Sequence, residues 1–278
     1  MGSGRWELLR ALGAVAGSPA DACSVLAALG LAGLGLAGLD DAAHTSVFVL
    51  NCPPYASAYL GAEGGLGGVA ADRVAGFWRV LGMPPPAPAD HLTGLLSLYA
   101  QLGEAGPALA HVRSALFSEH LWPWLPGYLD AVAELDVPAL GAWAGVLAEA
   151  LGAELRGCEA AADTLPLALR EAPPPVGADC GVGELLDTLI APVRSGMILT
   201  RRAVAHGAGQ AGAGHRIGER RFALRAMLEQ EPAGTCAWLA EEASRWSVRH
   251  LAVWPDDPVR QWWAARAART AVVLRSAL

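Results

Sequence analysis

Apolar residues recur at every third or fourth position along most of the chain, and no stretch sustains the apolar–polar alternation of a half-buried strand. Such spacing places apolar side chains on one face of a helix, where a neighbouring helix can cover them. A clear example is the series Leu140, Ala144, Leu147, Leu151 and Leu155. With 278 residues, 53% of them hydrophobic, the chain can bury a large core. We therefore expect an all-α fold, a helical bundle with negligible strand.

The apolar stripes locate the helices, and prolines and glycines mark where they stop. The predicted helices span residues 5–16, 20–38, 68–82, 90–104, 108–131, 137–156, 182–191, 200–207, 217–230, 234–250 and 257–277. Because Pro123 and Pro126 fall inside the 108–131 stripe, we expect that helix to kink or restart there. The repeated glycines of residues 207–214 predict a flexible loop.

Charge divides the chain into two unlike parts. Residues 1–160 hold six arginines against 15 acidic residues, a net charge of −9. Residues 161–278 hold 14 arginines against 12 acidic residues, a net charge of +2. Seven of these arginines lie within residues 194–225, together with one acid, Glu219. Solvated helix faces commonly explain such an imbalance, and different partners for the two halves are the other explanation.

Proline supplies the expected boundary between these parts. Three consecutive prolines at positions 173–175 form a stiff spacer. The sequence therefore predicts a helical domain over residues 1–160, a proline-rich linker over 161–180 and an arginine-rich helical region over 181–278.

The residues needed for several kinds of catalysis are missing. All 20 basic residues are arginine, so no lysine can serve a Walker phosphate loop, a Schiff base or general base catalysis. Residues 33–38 have the spacing G-x-G-x-x-G, but no strand precedes them and no ribose-binding acid follows. There is no G-x-S-x-G nucleophile elbow, and Asp40 and Asp41 are expected to cap a loop or helix. We therefore expect no enzymatic activity.

Neither histidine nor cysteine shows the spacing of a metal site. The histidines at positions 44, 111, 120, 206, 215 and 250 include no i, i+4 pair. Asp90-His91 reverses the His-Asp dipeptide of helical phosphohydrolases. The five cysteines are scattered and form no C-x-x-C pair, which favours a reducing compartment. We expect a cytoplasmic protein with no cofactor and no metal.

One uncharged run approaches the length of a membrane span. Residues 22–39 form 18 consecutive uncharged positions. The run contains four glycines, is flanked by Asp21 and Asp40, and has no arginine at either edge. It also begins too far along the chain for a secretory signal. A buried helix or helix pair is the better interpretation, so no membrane span is expected.

An acid and an imidazole follow a proline-rich stretch in the acidic half. Asp90-His91 comes after Pro-Pro-Pro-Ala-Pro at residues 84–88 and before an apolar run that begins at Leu92. Two interpretations are open. Either Asp90 caps the helix and His91 is an ordinary boundary residue, or the prolines fix a loop that presents two polar side chains.

Two aromatic clusters flank this dipeptide. Tyr55 and Tyr59 are four residues apart and share one face if their segment is helical. Residues 117–124, Phe-Ser-Glu-His-Leu-Trp-Pro-Trp, place His120 and Trp124 on one face beside a kink. Such clusters suit a groove that takes an apolar peptide while polar tips fix its register. Most aromatic residues of a helical bundle are nonetheless core residues.

Three motifs together resemble the TorD/DmsD family of redox-enzyme maturation chaperones. Residues 54–59, Pro-Tyr-Ala-Ser-Ala-Tyr, resemble its Pro-Tyr-Glu-Ser-x-Tyr element. Asp90-His91, after its prolines, resembles the Glu-x-Pro-Asp-His hinge motif, and residues 117–124 resemble the F-x-x-H-L-x-x-W segment. The similarity covers roughly residues 47–155. It departs from the family where Ala56 and Ala87 replace the motif glutamates.

The resemblance implies a TorD-like all-helical chaperone domain over residues 1–160, followed by a C-terminal helical extension or second helical domain. The implied function is that of a cytoplasmic chaperone for a molybdenum-cofactor oxidoreductase. It would bind the twin-arginine leader of the catalytic subunit and assist cofactor insertion before export. The residues implied in leader binding or in the hinge are Tyr55, Ser57, Tyr59, Asp90, His91, His120 and Trp124.

The resemblance also implies properties that the residues support unequally. Family members bind guanine nucleotide, but the chain shows no phosphate-binding motif. They also form domain-swapped homodimers, and a stiff proline segment before a helix suits a swap hinge. No membrane and no nucleic acid is expected among the partners.

A helical regulator with a basic nucleic-acid-binding region at its C-terminal end is the alternative. Residues 200–206 and 216–228 could form two helices joined by the glycine-rich loop, with six arginines between Arg201 and Arg225. The long turn and the acidic net charge of −7 argue against it. Salt-dependent DNA binding would distinguish the two functions.

Overall fold

The computed structural model describes residues 3–157, 165–214 and 218–276, and these residues form helices without a β-strand. The all-α prediction is confirmed. The chain divides into two compact units, Met1–Ser57 with Leu66–Ala162 and Ala58–Gly65 with Asp163–Leu278. The predicted linker over 161–180 stays a prediction, and its residues 161–164 lie outside the described residues.

The first unit is built from helices joined by short turns. Its α-helices are α1 (Ser3–Ala14), α2 (Pro19–Ala28), α3 (Asp41–His44), α4 (Ala56–Leu60, which continues into the second unit), α5 (Gly68–Val80), α6 (Leu92–Glu104), α7 (Ala110–Leu116), α8 (Leu125–Ala133) and α9 (Pro138–Gly157). Three short 3-10 turns span Ala32–Leu34, Leu36–Gly38 and Pro107–Leu109, and two π-helices span Thr45–Asn51 and Phe117–Leu121.

Close packing of α1 on α6 forms the centre of the first unit. The packing depends on two glycines, because a Cβ on Gly13 would lie 2.8 Å from the Cβ of Leu96. A Cβ on Gly103 would lie 2.5 Å from the Trp6 ring. Helix α9 closes over the pair, and the indole N–H of Trp143 donates to the carbonyl of Leu12 across 2.9 Å.

The second unit holds the remaining described helices. They are α10 (Leu167–Arg170), α11 (Val182–Ile190), α12 (Pro192–Ser195), α13 (Arg201–Ala211), α14 (Arg220–Gln230), α15 (Pro232–His250) and α16 (Pro258–Ser276). The long helices α15 and α16 pack against each other along their length. Helices α13 and α14 pack against α15.

A left-handed turn at Gly196 is held by side chains from α15 and α16. Gly196 has φ +78°, and its carbonyl accepts a hydrogen bond from Nε2 of the buried His250 across 2.8 Å. The Thr270 hydroxyl donates to the carbonyl of Ser195 across 2.8 Å, and Nε of Arg260 donates to the carbonyl of His250 across 2.7 Å. We call these five residues the Gly196 clamp. Each of these three hydrogen bonds satisfies a buried main-chain carbonyl.

One helix prediction and one loop prediction are wrong, and glycine explains both. The helix predicted over 20–38 ends at Ala28, because Gly30 and Gly35 adopt φ of +83° and +72° and turn the chain. The flexible loop predicted over 207–214 is mostly helix, since α13 continues to Ala211. Gly207 lies against α15, where a Cβ would come within 2.1 Å of the Trp238 ring. Tight packing there outweighs the low helix propensity of glycine.

The break expected near Pro123 and Pro126 is confirmed. Helix α7 passes into the π-helix Phe117–Leu121, a turn follows, and α8 begins at Leu125. The sequence predicted no element between residues 40 and 60, whereas the structure places α3, a π-helix and α4 there. No helix among the described residues is both long and apolar enough to cross a bilayer.

Candidate functional site

Residues 54–59, which we call the tyrosine motif, meet the Asp90-His91 motif through their main chains. The N–H of Leu92 donates to the carbonyl of Pro54 across 2.9 Å, and the N–H of Ala56 donates to the carbonyl of Asp90 across 3.1 Å. These bonds form an isolated antiparallel bridge between Tyr55 and His91. Their rings meet edge to face with centroids 4.9 Å apart. Two motifs separated by more than 30 residues thus form one local structure.

Asp90 lies beneath this bridge rather than on the surface. The residue is 2% exposed, and its Oδ2 accepts a hydrogen bond from the N–H of Ser57 across 2.9 Å. The buried Ser57 hydroxyl in turn accepts from the N–H of Gly67 across 3.0 Å. A buried carboxylate needs such donors, because losing water without them is costly. Asp90 therefore fixes the position of the tyrosine motif.

His91 is the residue that caps the following helix, so the first of the two interpretations, in which Asp90 is the cap, is wrong. His91 is the N-cap of α6, and its Nδ1 accepts from the N–H of Thr93 across 3.2 Å. An accepting Nδ1 requires a neutral ring with its proton on Nε2. Burial lowers the pKa of His91 and outweighs the opposing effect of the Asp90 carboxylate. The Thr93 hydroxyl donates to the carbonyl of Gly13 across 2.7 Å, which ties the cap to α1.

His120 and Trp124 form a second cluster at the π-helix Phe117–Leu121. The indole N–H of Trp124 donates to the carbonyl of His120 across 2.9 Å, and the Trp124 ring packs on Tyr128. The His120 ring meets Phe77 of α5 edge to face, with centroids 5.1 Å apart. Burial lowers the pKa of His120 to about 4, and the positive charge of Arg73 adds to this. His120 is therefore neutral at pH 7.

The seven sequence-predicted residues fall into three places. Tyr55, Ser57, Asp90 and His91 come together, and we call them the hinge cluster. His120 and Trp124 form the π-helix cluster. Tyr59 is buried and belongs to the second unit. The expected pairing of Tyr55 and Tyr59 on one helix face is absent, because α4 begins only at Ala56.

The residues of the two clusters differ in their exposure to solvent. Tyr55, His91 and His120 are half-buried, so part of each side chain reaches solvent. Ser57, Asp90 and Trp124 are buried directly behind them. Only the half-buried three can touch a ligand without rearrangement, and the buried three hold them in place.

The sequence carries no signal for two residues beside the π-helix cluster, or for one buried acid elsewhere in the first unit. Phe77 and Arg73 lie on the amphipathic helix α5 and carry no motif. Glu154 is 3% exposed, accepts from the Tyr99 hydroxyl across 2.6 Å and pairs with Arg5. A glutamate in a helix is ordinarily solvated, so no sequence signal indicated its burial. The described residues contain no group of histidine, cysteine and acidic side chains able to hold a metal ion.

Comparison with known proteins agrees with the geometry. Residues 40–130 match the family described as nitrate reductase delta subunit, and no curated protein matches the chain. The matched segment is about a third of the chain, and it contains all three motifs and all seven candidate residues. Residues 40–130 are thus similar to the nitrate reductase delta subunit family, which is consistent with the TorD/DmsD resemblance of the three motifs.

Proposed function

We propose that this protein binds the twin-arginine leader of a molybdenum-cofactor oxidoreductase subunit. The leader contacts Tyr55, His91 and His120, while Ser57, Asp90 and Trp124 hold those side chains in place. Binding keeps the leader from the export machinery until the cofactor has been inserted. The protein acts in the cytoplasm, where its client is assembled, and it performs no chemistry of its own.

One observation carries this proposal. The Tyr55–His91 bridge joins two motifs that were recognised separately in the sequence. Both motifs lie within the segment that matches the chaperone family. Main-chain pairing gives the two half-buried rings a fixed geometry, and preorganised groups lose less entropy when a flexible peptide binds.

The charge state of the site suits a cationic ligand. Residues 1–160 carry a net charge of −9, which attracts a peptide with paired arginines. Lowered pKa values keep His91 and His120 neutral at pH 7, so neither ring repels a guanidinium. The aromatic faces of Tyr55 and Phe77 can also receive a cation.

The nucleic-acid alternative finds less support in the second unit. Several of its arginines make intramolecular contacts: Arg221 pairs with Asp187, Arg245 pairs with Glu242, and Arg220 donates to the carbonyl of Leu199. The nucleic-acid alternative also requires a loop over residues 207–214 between two helices, whereas α13 continues to Ala211. Guanine nucleotide binding and a domain-swapped homodimer stay predictions.

Calorimetric titration with a synthetic twin-arginine leader tests the proposal. We expect a dissociation constant of about 1 µM, because an unstructured ligand must be ordered on binding. A Lys-Lys version should bind about tenfold more weakly, since lysine lacks the planar, weakly hydrated guanidinium. Equal affinity for both peptides would contradict arginine recognition. No binding of either peptide would contradict the proposed function as a whole.

A further inference from the structure

One short stretch of chain belongs to the second unit although residues of the first unit flank it on both sides. Residues 58–65 lie in the second unit, whereas Ser57 before them and Leu66 after them lie in the first. We call residues 58–65 the crossing segment. Its first three residues are buried, and it directly follows Ser57 of the hinge cluster. The way in which the second unit holds this segment therefore bears on the geometry of the hinge cluster.

Two contacts at the corner between α11 and α12 hold the far end of the crossing segment. Nε of Arg194 donates a hydrogen bond to the carbonyl of Ala62 across 2.6 Å. Gly64 lies against the main chain of Ile190, where a Cβ would come within 2.4 Å of the carbonyl oxygen. Gly64 also has φ +64°, a conformation that favours glycine. A larger residue at position 64 would therefore have to move the segment away from this corner.

Arg194 holds the segment through a directed hydrogen bond rather than through an ion pair. The side chain is half-buried, and it forms no ion pair with any residue that the structure describes. Its acceptor is a main-chain carbonyl, which fixes a point of the backbone and not a flexible side chain. The position of the N–H group of Arg194 is thus what matters, and its charge is not required for this contact.

The near end of the crossing segment is fixed by the hinge cluster. The N–H of Ser57 donates to Oδ2 of Asp90, and the Ser57 hydroxyl accepts from the N–H of Gly67 on the returning chain. Helix α4 (Ala56–Leu60) contains Ser57 and ends two residues before Ala62. Because helical hydrogen bonds make α4 stiff, a displacement at Ala62 is carried along the helix to Ser57.

We infer that Arg194 is a positioning residue of the proposed leader site. By holding Ala62 in the second unit, Arg194 keeps Ser57 in place and, through it, the Tyr55–His91 pair. This inference rests on the proposed function and deepens it. It gives a part in setting leader affinity to a helix outside the segment that matches the chaperone family, which ends at residue 130. A site whose competent arrangement is only partly populated binds its ligand more weakly in proportion.

Two variants of equal side-chain length separate the hydrogen bond from the rest of the arginine. Nε2 of glutamine and Cε of methionine lie as many bonds from Cα as Nε of arginine does. Arg194→Gln therefore keeps a donor for the carbonyl of Ala62 without the charge, whereas Arg194→Met keeps the length without a donor. In calorimetric titration with the twin-arginine leader, Arg194→Met should weaken binding about fivefold, the equivalent of one ordinary hydrogen bond. Arg194→Gln should weaken it less than about twofold.

A pair of glycine variants tests the same link at a second point. Gly64→Ala should weaken leader binding about tenfold, because its Cβ forces the segment away from Ile190. Gly65→Ala is the matched control. A Cβ at position 65 would meet no atom within 4 Å, and the residue has no positive φ, so leader affinity should not change.

Amide hydrogen exchange, followed by NMR without any leader present, measures the position of the hinge cluster directly. The N–H groups of Ser57 and Gly67 should exchange at least threefold faster in Arg194→Met and in Gly64→Ala than in the unaltered protein, because their hydrogen bonds open more often. Arg194→Gln and Gly65→Ala should leave both rates unchanged. Amides of α15 and α16 should exchange as before in all four variants, since the altered contacts involve neither helix.

The outcomes separate this inference from the proposed function. Unchanged leader affinity and unchanged exchange at Ser57 in Arg194→Met would overturn the inference alone. Equal losses in Arg194→Gln and Arg194→Met would also overturn it, because the charge rather than the hydrogen bond would then be responsible. Faster exchange throughout α15 and α16 would reduce Arg194 to general support of the second unit. Absence of leader binding to the unaltered protein would overturn the proposed function, whereas exchange at Ser57 and Gly67 would still decide whether Arg194 positions the hinge cluster.

Discussion

His91 in the hinge cluster and His250 in the Gly196 clamp make similar contacts but differ in their exposure to solvent. Each ring hydrogen-bonds to the main chain, and burial lowers each pKa. His250 is 2% exposed and packs between Trp246 and Trp263, whereas His91 is half-buried beside Tyr55. Buried polar pairing therefore does not by itself mark a binding site. A polar group that is held by hydrogen bonds and also reaches solvent is a better indication of a binding site.

The largest expected effect comes from removing the imidazole ring of His250, which belongs to the Gly196 clamp. His250→Ala should lower the free energy of unfolding by about 3 kcal/mol, because it opens a cavity between two tryptophans and removes the donor to Gly196. Leader affinity at 25 °C should not change. Differential scanning calorimetry and leader titration measure the two quantities. His206→Ala, at an exposed position of α13, is the matched control and should alter neither.

Asp90 should show the next largest effect. Asp90→Ala leaves the buried N–H of Ser57 without its acceptor, which should cost about 1–3 kcal/mol of stability and weaken leader binding about tenfold. Asp90→Asn keeps an acceptor oxygen and should cost less than about 1 kcal/mol. Chemical denaturation and leader titration compare them. If Asn were as damaging as Ala in both measurements, Asp90 would act through its charge rather than by positioning Ser57.

His91 allows capping to be separated from ligand contact. His91→Asn should preserve the stability of α6, because asparagine is among the best N-cap residues. Leader affinity should nevertheless fall about threefold to tenfold, since the ring beside Tyr55 is lost. His91→Ala should show the same affinity loss plus about 1 kcal/mol of destabilisation. Full leader affinity in the Asn variant would show that His91 acts only as a helix cap. His91 would then be a structural histidine, as His250 is.

Acidification should lower the stability of both units, over different ranges of pH. Burial lowers the pKa of His120 to about 4 and that of His250 to about 3, whereas an unfolded histidine titrates near 6.5. Stability from each neutral ring is therefore full above pH 6.5 and falls as protons bind the unfolded chain first. The loss should level off near pH 4 for His120 and near pH 3 for His250.

Calorimetry of His120→Gln and His250→Gln between pH 7 and 3 tests this pH dependence. The difference between wild type and each variant isolates that ring from the titrating carboxylates. A difference that does not vary between pH 6.5 and 4 would contradict the lowered pKa of that ring.

The sequence predicted the fold class and the motifs but not the contacts that give the motifs their roles. The break after Leu121 followed from Pro123, because proline removes an N–H from any helix. The continuation of α13 through Gly207 did not follow, because it depends on Trp238, which lies on another helix. The exchange of roles between Asp90 and His91 likewise depends on Ser57, which is 33 residues away. Contacts between residues so far apart in the chain cannot be predicted from local sequence patterns.

The ties between α1 and α9 have a consequence for synthesis of the protein on the ribosome. Arg5 pairs with Glu154, 149 residues later, and Leu12 accepts from Trp143, 131 residues later. At about 5–20 residues per second, translation separates the first helix from its last partners by roughly 7–30 s. During that interval Leu12 lacks the cover that Trp143 of α9 provides. An apolar face of α1 therefore stays exposed on the nascent chain for a time, and such surface favours aggregation until α9 has been made.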